Sequence, residues 1–196
     1  MQGGKALIFS APSGSGKTTI VKNLVENNPD LEFSISASTR DRRGRQEVHG
    51  EDYYFMTPAE FKEKIDQEDF VEWQEVYAGN FYGTLKSEIH RIWDTGHNVV
   101  FDVDVKGGLK LKQYFGEKAL AVFVKVPSME ILEQRLRSRG TETEDSISRR
   151  MFKAAFEMTF EDHFDITLLN EDLQESCRKA QELYLEFTQQ SATPKS

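Results

Sequence analysis

The stretch Ala11-Pro12-Ser13-Gly14-Ser15-Gly16-Lys17-Thr18 lies between a short apolar run at residues 5–10 (KALIFS) and a segment where Ile20, Val21, Leu24 and Val25 recur at helical spacing. A strand that halts at a Pro/Gly/Ser turn and re-emerges as a helix is the frame of a phosphate-binding loop. Gly14 and Gly16 let the backbone turn tightly, so that amide N–H groups converge on phosphate oxygens. The N-terminus of the following helix adds its partial positive charge. Lys17 is expected to bridge the β- and γ-phosphates of a nucleoside triphosphate, and the Thr18 hydroxyl to ligate the Mg²⁺ that accompanies it. Residues 11–18, with Thr19, are therefore the expected ATP cradle. Ala11 stands where this pattern usually has glycine, which is acceptable while its φ stays negative. A plain turn accounts for Gly14 and Gly16 alone, but not for Lys17 and Thr18 in the same strand–loop–helix setting.

Outward from the loop, further strands are expected at 98–105 (NVVFDVDV), 119–126 (ALAVFVKV) and 165–169 (DITLL). Helical patterns separate them: Leu85, Ile89, Ile92 and Trp93 before Gly96, then Ile131, Leu132 and Leu136 after Ser128. A last helix carries Leu173, Cys177, Ala180, Tyr184 and Phe187 on one side. Strands alternating with helices predict an α/β protein with a parallel sheet and right-handed crossovers. Residues 34–84 break the rhythm with a charged loop, aromatic Tyr53, Tyr54 and Phe55, and a helix announced by Thr57, Pro58 and Glu60. They read as an insertion with small strands of its own. Residues 138–145 (SRGTETED) read as a polar loop leading into a helix with Ile147, Met151, Ala154, Ala155 and Met158 inside. Both stretches are expected to move.

The 196 residues suit one compact domain, with 38% hydrophobic and 30% charged residues. No apolar run approaches the ~20 residues that cross a bilayer, and the first residues do not form a secretory signal. The single cysteine, Cys177, excludes an internal disulfide framework and fits a cytoplasmic setting. A net charge of -8 argues against binding a nucleic acid polymer through a broad basic face. Anionic ligands must then meet a few focused arginines.

The loop does not name the phosphoryl acceptor. A GTPase needs a base-reading Asn-Lys-x-Asp run, and there is none. The insertion offers Ser36, Ser38, Thr39, Arg40 and Arg43, a set able to clamp a phosphate dianion with charge-assisted bonds. Glu72 and Trp73 follow, then the glycine-bracketed turn from Gly79 to Thr84 with Tyr82 inside it. Taken singly, these are a solvated basic loop, core aromatics and a surface carboxylate. Their order says more.

Phe33-Ser-Ile-Ser-Ala-Ser-Thr-Arg40 followed by Glu47-Val-His-Gly-Glu-Asp-Tyr-Tyr-Phe55 resembles the GMP-binding insertion of guanylate kinases. The same family is matched by Phe70-Val-Glu-Trp73, Gly79-Asn-Phe-Tyr-Gly83, Phe101-Asp-Val-Asp104 and Arg139-Gly-Thr-Glu-Thr-Glu144, so the resemblance runs from about residue 5 to residue 187. It implies the reaction ATP + GMP ⇌ ADP + GDP on a P-loop NTPase three-layer fold. The core is then 1–33 and 85–190, with a lid at about 138–150, a small α+β GMP-binding insertion at 34–84 and a disordered tail at 191–196. The resemblance gives Ser36, Glu72, Thr84 and Asp102 to the guanine or its surroundings, and Arg40, Arg43, Tyr53 and Tyr82 to the GMP phosphate. Arg135, Arg139 and Arg150 become lid arginines, with Arg139 and Arg150 on the transferring group, and Asn170 an adenine-side contact. Guanine presents N1–H and the N2 amine side by side, and an ionised Glu72 accepts from both. Adenine turns a lone pair toward the same carboxylate. Two departures stand out: the loop between Arg43 and Glu47 is about one residue longer than the family pattern, and Lys106 replaces an expected glutamine.

Two other classes fit the resemblance less well. Guanylate-kinase-like scaffold domains bind proteins and have a degraded phosphate loop, whereas this chain retains Lys17, Thr18, Arg40 and the lid arginines. A kinase for AMP or a non-nucleotide acceptor leaves Glu72 and Asp102 without a guanine to read. Oligomeric state is not legible.

Overall fold

The computed structural model describes residues 4–42, 46–138 and 143–189. Arg43, Arg139 and the expected tail at 191–196 lie outside the described residues. In chain order the strands are β1 (Ala6–Ser10), β2 (Leu31–Phe33), β3 (Ala37–Ser38), β4 (Tyr54–Phe55) and β5 (Phe70–Tyr77). They continue as β6 (Asn80–Leu85), β7 (Asn98–Val103), β8 (Ala119–Lys125) and β9 (Ile166–Leu169). The helices are α1 (Lys17–Glu26), α2 (Pro58–Asp66), α3 (Lys86–Asp94), α4 (Val105–Phe115), α5 (Met129–Arg137), α6 (Glu144–Met158) and α7 (Leu173–Gln189).

A five-stranded parallel sheet in the order β2-β7-β1-β8-β9 forms the centre. Its inner strands are mostly apolar because both faces are covered, with Ser10, Asn98, Asp102 and Lys125 at or near their ends. On β1, Ala6 and Ile8 join Val99, Phe101, Ala121 and Phe123 beneath α3 and α4. Leu7 and Phe9 face the other way, onto Ile20, Leu24, Ala180 and Tyr184 of α1 and α7. The chain passes to β2 and β7 on one side of β1 and to β8 and β9 on the other. The crevice at the carboxyl end of β1 is therefore the switch point where open α/β sheets hold ligands.

Two core elements were not expected. β2 is an edge strand of three residues with Glu32 at its centre, too short to show a period. α4 follows β7 directly, and its first turns contain Gly107 and Gly108, poor helix formers. A Cβ on Gly108 would come within 2.1 Å of Ser10 Oγ, so glycine lets α4 approach β1 closely. β7 consequently ends at Val103, and Asp104 caps α4 by accepting from Gly107 N–H. In α6, Ile147 and Ala154 are buried, but Ala155 is exposed and Glu157 is buried in its stead. In α7, Leu173 is exposed.

A second sheet has the order β4-β3-β6-β5, with α2 on one face. Phe61 of α2 stacks on Phe70, and Ala37, Leu85 and Phe81 complete that small core. The capping box read from Thr57 and Glu60 is present, with both reciprocal bonds and Pro58 in the first turn. A register shift between Phe70 and Glu72 re-aims β5, so that Phe70 packs on α2 while Glu72 lies opposite Thr84. No helix among the described residues is long and apolar enough to cross a membrane.

Candidate active site

The loop between β1 and α1 forms the floor of a cleft of about 290 Å³ that residues 11–19 share with Asp102, Val103, Asp104, Lys153 and Glu157. Gly14 and Gly16 have φ of 99° and 88°, the left-handed region that favours glycine. A Cβ on Gly14 would meet Leu136 at 2.9 Å, and one on Gly16 would meet Asn170 Nδ2 at 2.5 Å. Gly16→Ala should therefore destabilise the fold by about 1–3 kcal/mol, read as a lower urea midpoint; an unchanged midpoint would show that the loop has room.

Lys17 Nζ contacts Asp102 Oδ1 and donates to the Val103 carbonyl, each at 2.5 Å. Thr18 Oγ1 donates to Asp102 Oδ2, also at 2.5 Å. Both oxygens of the Asp102 carboxylate thus face the phosphate loop. Asp102 was expected at the guanine or its surroundings; its carboxylate oxygens bond Lys17 and Thr18, because the end of β7 lies beside β1 in the parallel register. A hydroxyl and a carboxylate this close are the hard oxygen donors that Mg²⁺ takes beside a nucleotide's phosphates.

Asn170 was expected on the adenine side. Its side chain is turned inward: Nδ2 donates to the Ser15 carbonyl at 2.6 Å, and Oδ1 accepts from Ser176 Oγ at 3.0 Å. Asn170 is 2% exposed and holds the underside of the loop. Arg135, on α5, adds to this brace through Nη2 to the Asn170 carbonyl at 3.0 Å and Nη1 to the Ser15 carbonyl at 3.4 Å. Arg150, on α6, reaches Ser13 Oγ at 2.5 Å. Lys153 follows three residues on, lining the same cleft and pairing with Glu157 at 3.5 Å. Burial pushes the Glu157 carboxyl up, with Lys153 opposing the shift. Lys153 was not expected here, although its spacing from Arg150 places both on one helix face. Lys106 is exposed, with Nζ 5.7 Å from the Phe156 ring centroid.

A second cleft, of about 180 Å³, lies on the face of the small sheet away from α2 and is lined by Ser36, Tyr53, Glu72, Tyr82 and Asp102. The two clefts share the wall made by Asp102, Val103 and Asp104. Glu72 is 7% exposed, and Thr84 Oγ1 donates to its Oε1 at 2.9 Å. Burial pushes the Glu72 carboxyl up to about 7, the Thr84 bond pulls it down, and the nearby Asp104 charge raises it again. Thr84, itself buried, orients this carboxylate from across the strand pair. Asp104 lines both clefts, and the Asp-x-Asp spacing at a strand end is its sequence signal.

Arg40 forms a two-point pair with Glu47, Nη1–Oε2 at 2.8 Å and Nη2–Oε1 at 2.5 Å, and lies 4.9 Å from the Tyr53 ring centroid. Tyr53 and Tyr82 meet edge to face at 6.1 Å, and burial pushes the Tyr53 hydroxyl up. Tyr53, Tyr82 and Glu72 therefore line the same cleft, with Arg40 packed over Tyr53 and the buried Thr84 bonded to Glu72.

A parallel α/β sheet with a glycine-rich loop at its switch point, backed by Lys17, Thr18 and Asp102, defines a P-loop nucleotide-binding protein. The family model for guanylate kinase matches residues 3–186. The chain belongs to the guanylate kinase family. It is 48% identical over 184 residues to the guanylate kinase of Bacteroides thetaiotaomicron, covering 94% of this chain and 90% of that one. Identity to the guanylate kinase of Porphyromonas gingivalis is 46% over 170 residues, covering 86% and 90%. The crystal structure of guanylate kinase from Anaplasma phagocytophilum superposes with a TM-score of 0.74 at 28% identity, covering 95% of this chain and 87% of that one. Shikimate kinase from Bacteroides thetaiotaomicron, at 16% identity and a TM-score of 0.51, shares the fold alone.

Proposed function

We propose that this chain transfers the γ-phosphoryl group of ATP to GMP, giving ADP and GDP. One observation carries the reading: a buried carboxylate, Glu72, faces a cleft that shares a wall with the phosphate loop. A carboxylate there suits the paired N1–H and N2 donors of guanine, and Tyr53 and Tyr82 in the same cleft, with Arg40 over Tyr53, suit the phosphate of the same nucleotide. Parallel assays of ADP release with GMP, AMP, CMP and UMP test it. Turnover with GMP alone is the expected result, and equal turnover with AMP would overturn it.

The division of labour follows from charge. Phosphoryl transfer asks the protein for in-line alignment and neutralised oxygens rather than covalent help. A GMP phosphate oxygen attacks the γ-phosphorus, the bond to the β–γ bridging oxygen breaks, and ADP leaves. The attacking dianion needs no general base. Lys17 and the loop amides hold the donor phosphates; Arg40, Tyr53 and Tyr82 hold the acceptor phosphate, with Arg43 as a further contact; Ser36 and Thr84 support Glu72 at the base. Arg150 and Arg139 meet the transferring group, and Arg135 and Asn170 brace the loop beneath ATP. Thr18 and Asp102 would hold Mg²⁺, which when bound neutralises charge on the β- and γ-phosphate oxygens.

In this account residues 1–33 and 85–190 bind ATP, residues 34–84 bind GMP, and a lid at about 138–150 closes over the donor to exclude water. The substrates are small molecules rather than a nucleic acid polymer, in keeping with the net charge of -8, and the setting is cytoplasmic, in keeping with the lone cysteine. Asp102→Asn separates its two possible roles. It should lower kcat by about 10²-fold and raise the Mg²⁺ concentration for half-maximal rate, with base preference kept. A changed GMP:AMP preference at unchanged Mg²⁺ demand would return Asp102 to the guanine.

A further inference from the structure

The chain leaves the central sheet after β2, builds the small sheet, and returns through β6 into α3. These two crossings are tied together by one side chain that the proposed chemistry does not use. Glu88, in the first turn of α3, is 2% exposed. Its Oε1 accepts from the Ile35 backbone N–H at 3.1 Å, on the outgoing crossing. Its Oε2 accepts from the Tyr54 hydroxyl at 2.8 Å, on β4 of the small sheet. Arg91, one turn further along α3, donates to the same carboxylate from Nε at 3.0 Å and Nη2 at 3.1 Å. Arg91 also donates from Nη1 to Glu32 Oε2 at 2.8 Å, which fastens the knot to β2 of the central sheet.

An acidic residue in the first turn of a helix gains its helix-dipole benefit at the surface, so that role does not require burial. Burying a carboxylate is costly unless donors surround it, and here they come from the outgoing crossing, the small sheet and α3 itself. Two of those donors sit one residue from the second cleft. Ile35 precedes Ser36, and Tyr54 follows Tyr53, both lining residues. A shift at either donor moves a cleft wall.

We propose that Glu88 is a positioning residue for the acceptor nucleotide, pinning both chain crossings so that the GMP cleft keeps its place against the phosphate loop. The inference rests on the ATP-to-GMP reading given above. A residue with a merely structural role would, when removed, weaken donor and acceptor binding together. A positioning residue splits them, because the hydrogen-bond partners of Glu88 are Ile35, Tyr54 and Arg91, none of them in the phosphate loop.

The test compares wild type, Glu88→Ala, Glu88→Gln, Tyr54→Phe and the Glu88→Ala/Tyr54→Phe double variant. Steady-state kinetics give the KM for GMP and kcat, and calorimetric titration gives the Kd for a non-hydrolysable ATP analogue. Glu88→Ala should raise the GMP KM about tenfold, since it strands buried donors, with the analogue Kd within about twofold of wild type. Glu88→Gln keeps one acceptor oxygen and should fall between wild type and Glu88→Ala. Tyr54→Phe should raise the GMP KM about threefold alone and add nothing in the double variant. An unchanged GMP KM, or a parallel loss of analogue and GMP binding, overturns the inference. Should Glu88→Ala fail to fold, an unchanged GMP KM in Tyr54→Phe overturns it equally. Absence of GDP formation by the wild type would instead sink the underlying reading.

Discussion

Lys17→Ala is expected to reduce GDP formation by about 10³-fold or more while the protein stays folded. Lys17 is the only cation that residues 11–18 supply, and its ammonium is held at the cleft by Asp102 Oδ1 and the Val103 carbonyl, each at 2.5 Å. Its position is thus set before the nucleotide arrives, which lowers the reorganisation needed as charge builds on the β–γ bridge. Alanine leaves the loop amides and α1 to face that charge alone. The Asp102 carboxylate keeps its bond from Thr18, so the β1–β7 register is not at risk. Turnover is measured beside the thermal midpoint. A folded variant within tenfold of the wild-type rate would remove Lys17 from the chemistry.

Glu72→Gln should act on two observables in opposite senses. In catalysis it turns one carboxylate oxygen into an amide donor that faces a guanine donor. The ratio of kcat/KM for GMP over AMP should fall by about 10²-fold, part of the roughly 10⁴-fold that a hydrogen-bonding site can provide. In the ligand-free protein the same change removes a buried charge. The Glu72 carboxyl is pushed up from an ordinary 4.5 to about 7 by burial. Well below pH 4.5 it carries a proton both folded and unfolded, and its ionisation costs nothing. Between 4.5 and 7 the folded chain holds the proton more tightly, so this group's contribution to stability falls as pH rises. Above 7 the full cost is present, about 3 kcal/mol. Glu72→Gln should therefore raise the urea midpoint at pH 8, with the gain shrinking toward pH 5. An unchanged base preference would remove Glu72 from recognition, and a lower midpoint at pH 8 would contradict its burial as a charge.

The elements visible in the sequence were those with a strong local reason to form. β1, β7 and β8 show as runs dominated by apolar residues because both faces are covered, and α2 is announced by its capping box. The phosphate loop is legible because a strand, two glycines, a lysine and a threonine must occur in one order. What stayed hidden depends on contacts distant in sequence. α4 begins in a Gly-Gly pair whose purpose is the approach to Ser10, and β2 exists only by pairing with β7. Asp102 and Asn170 were recognisable as site residues, but not which way they face. Asp102 turns to Lys17 and Thr18 because β7 lies beside β1, and Asn170 turns inward because Gly16 leaves the space its amide fills. The Glu88 knot is hidden because two of its donors, Ile35 and Tyr54, lie 53 and 34 residues away, and only Arg91 is local.

The most direct test of two nucleotides held end to end is a crystal structure of the chain with GMP and ADP bound. Guanine N1–H and N2 are expected on the Glu72 carboxylate, the GMP phosphate against Arg40, Tyr53 and Tyr82, and the ADP phosphates on residues 11–18. GMP bound away from Glu72 and Arg40, with the second cleft left to solvent, would contradict it.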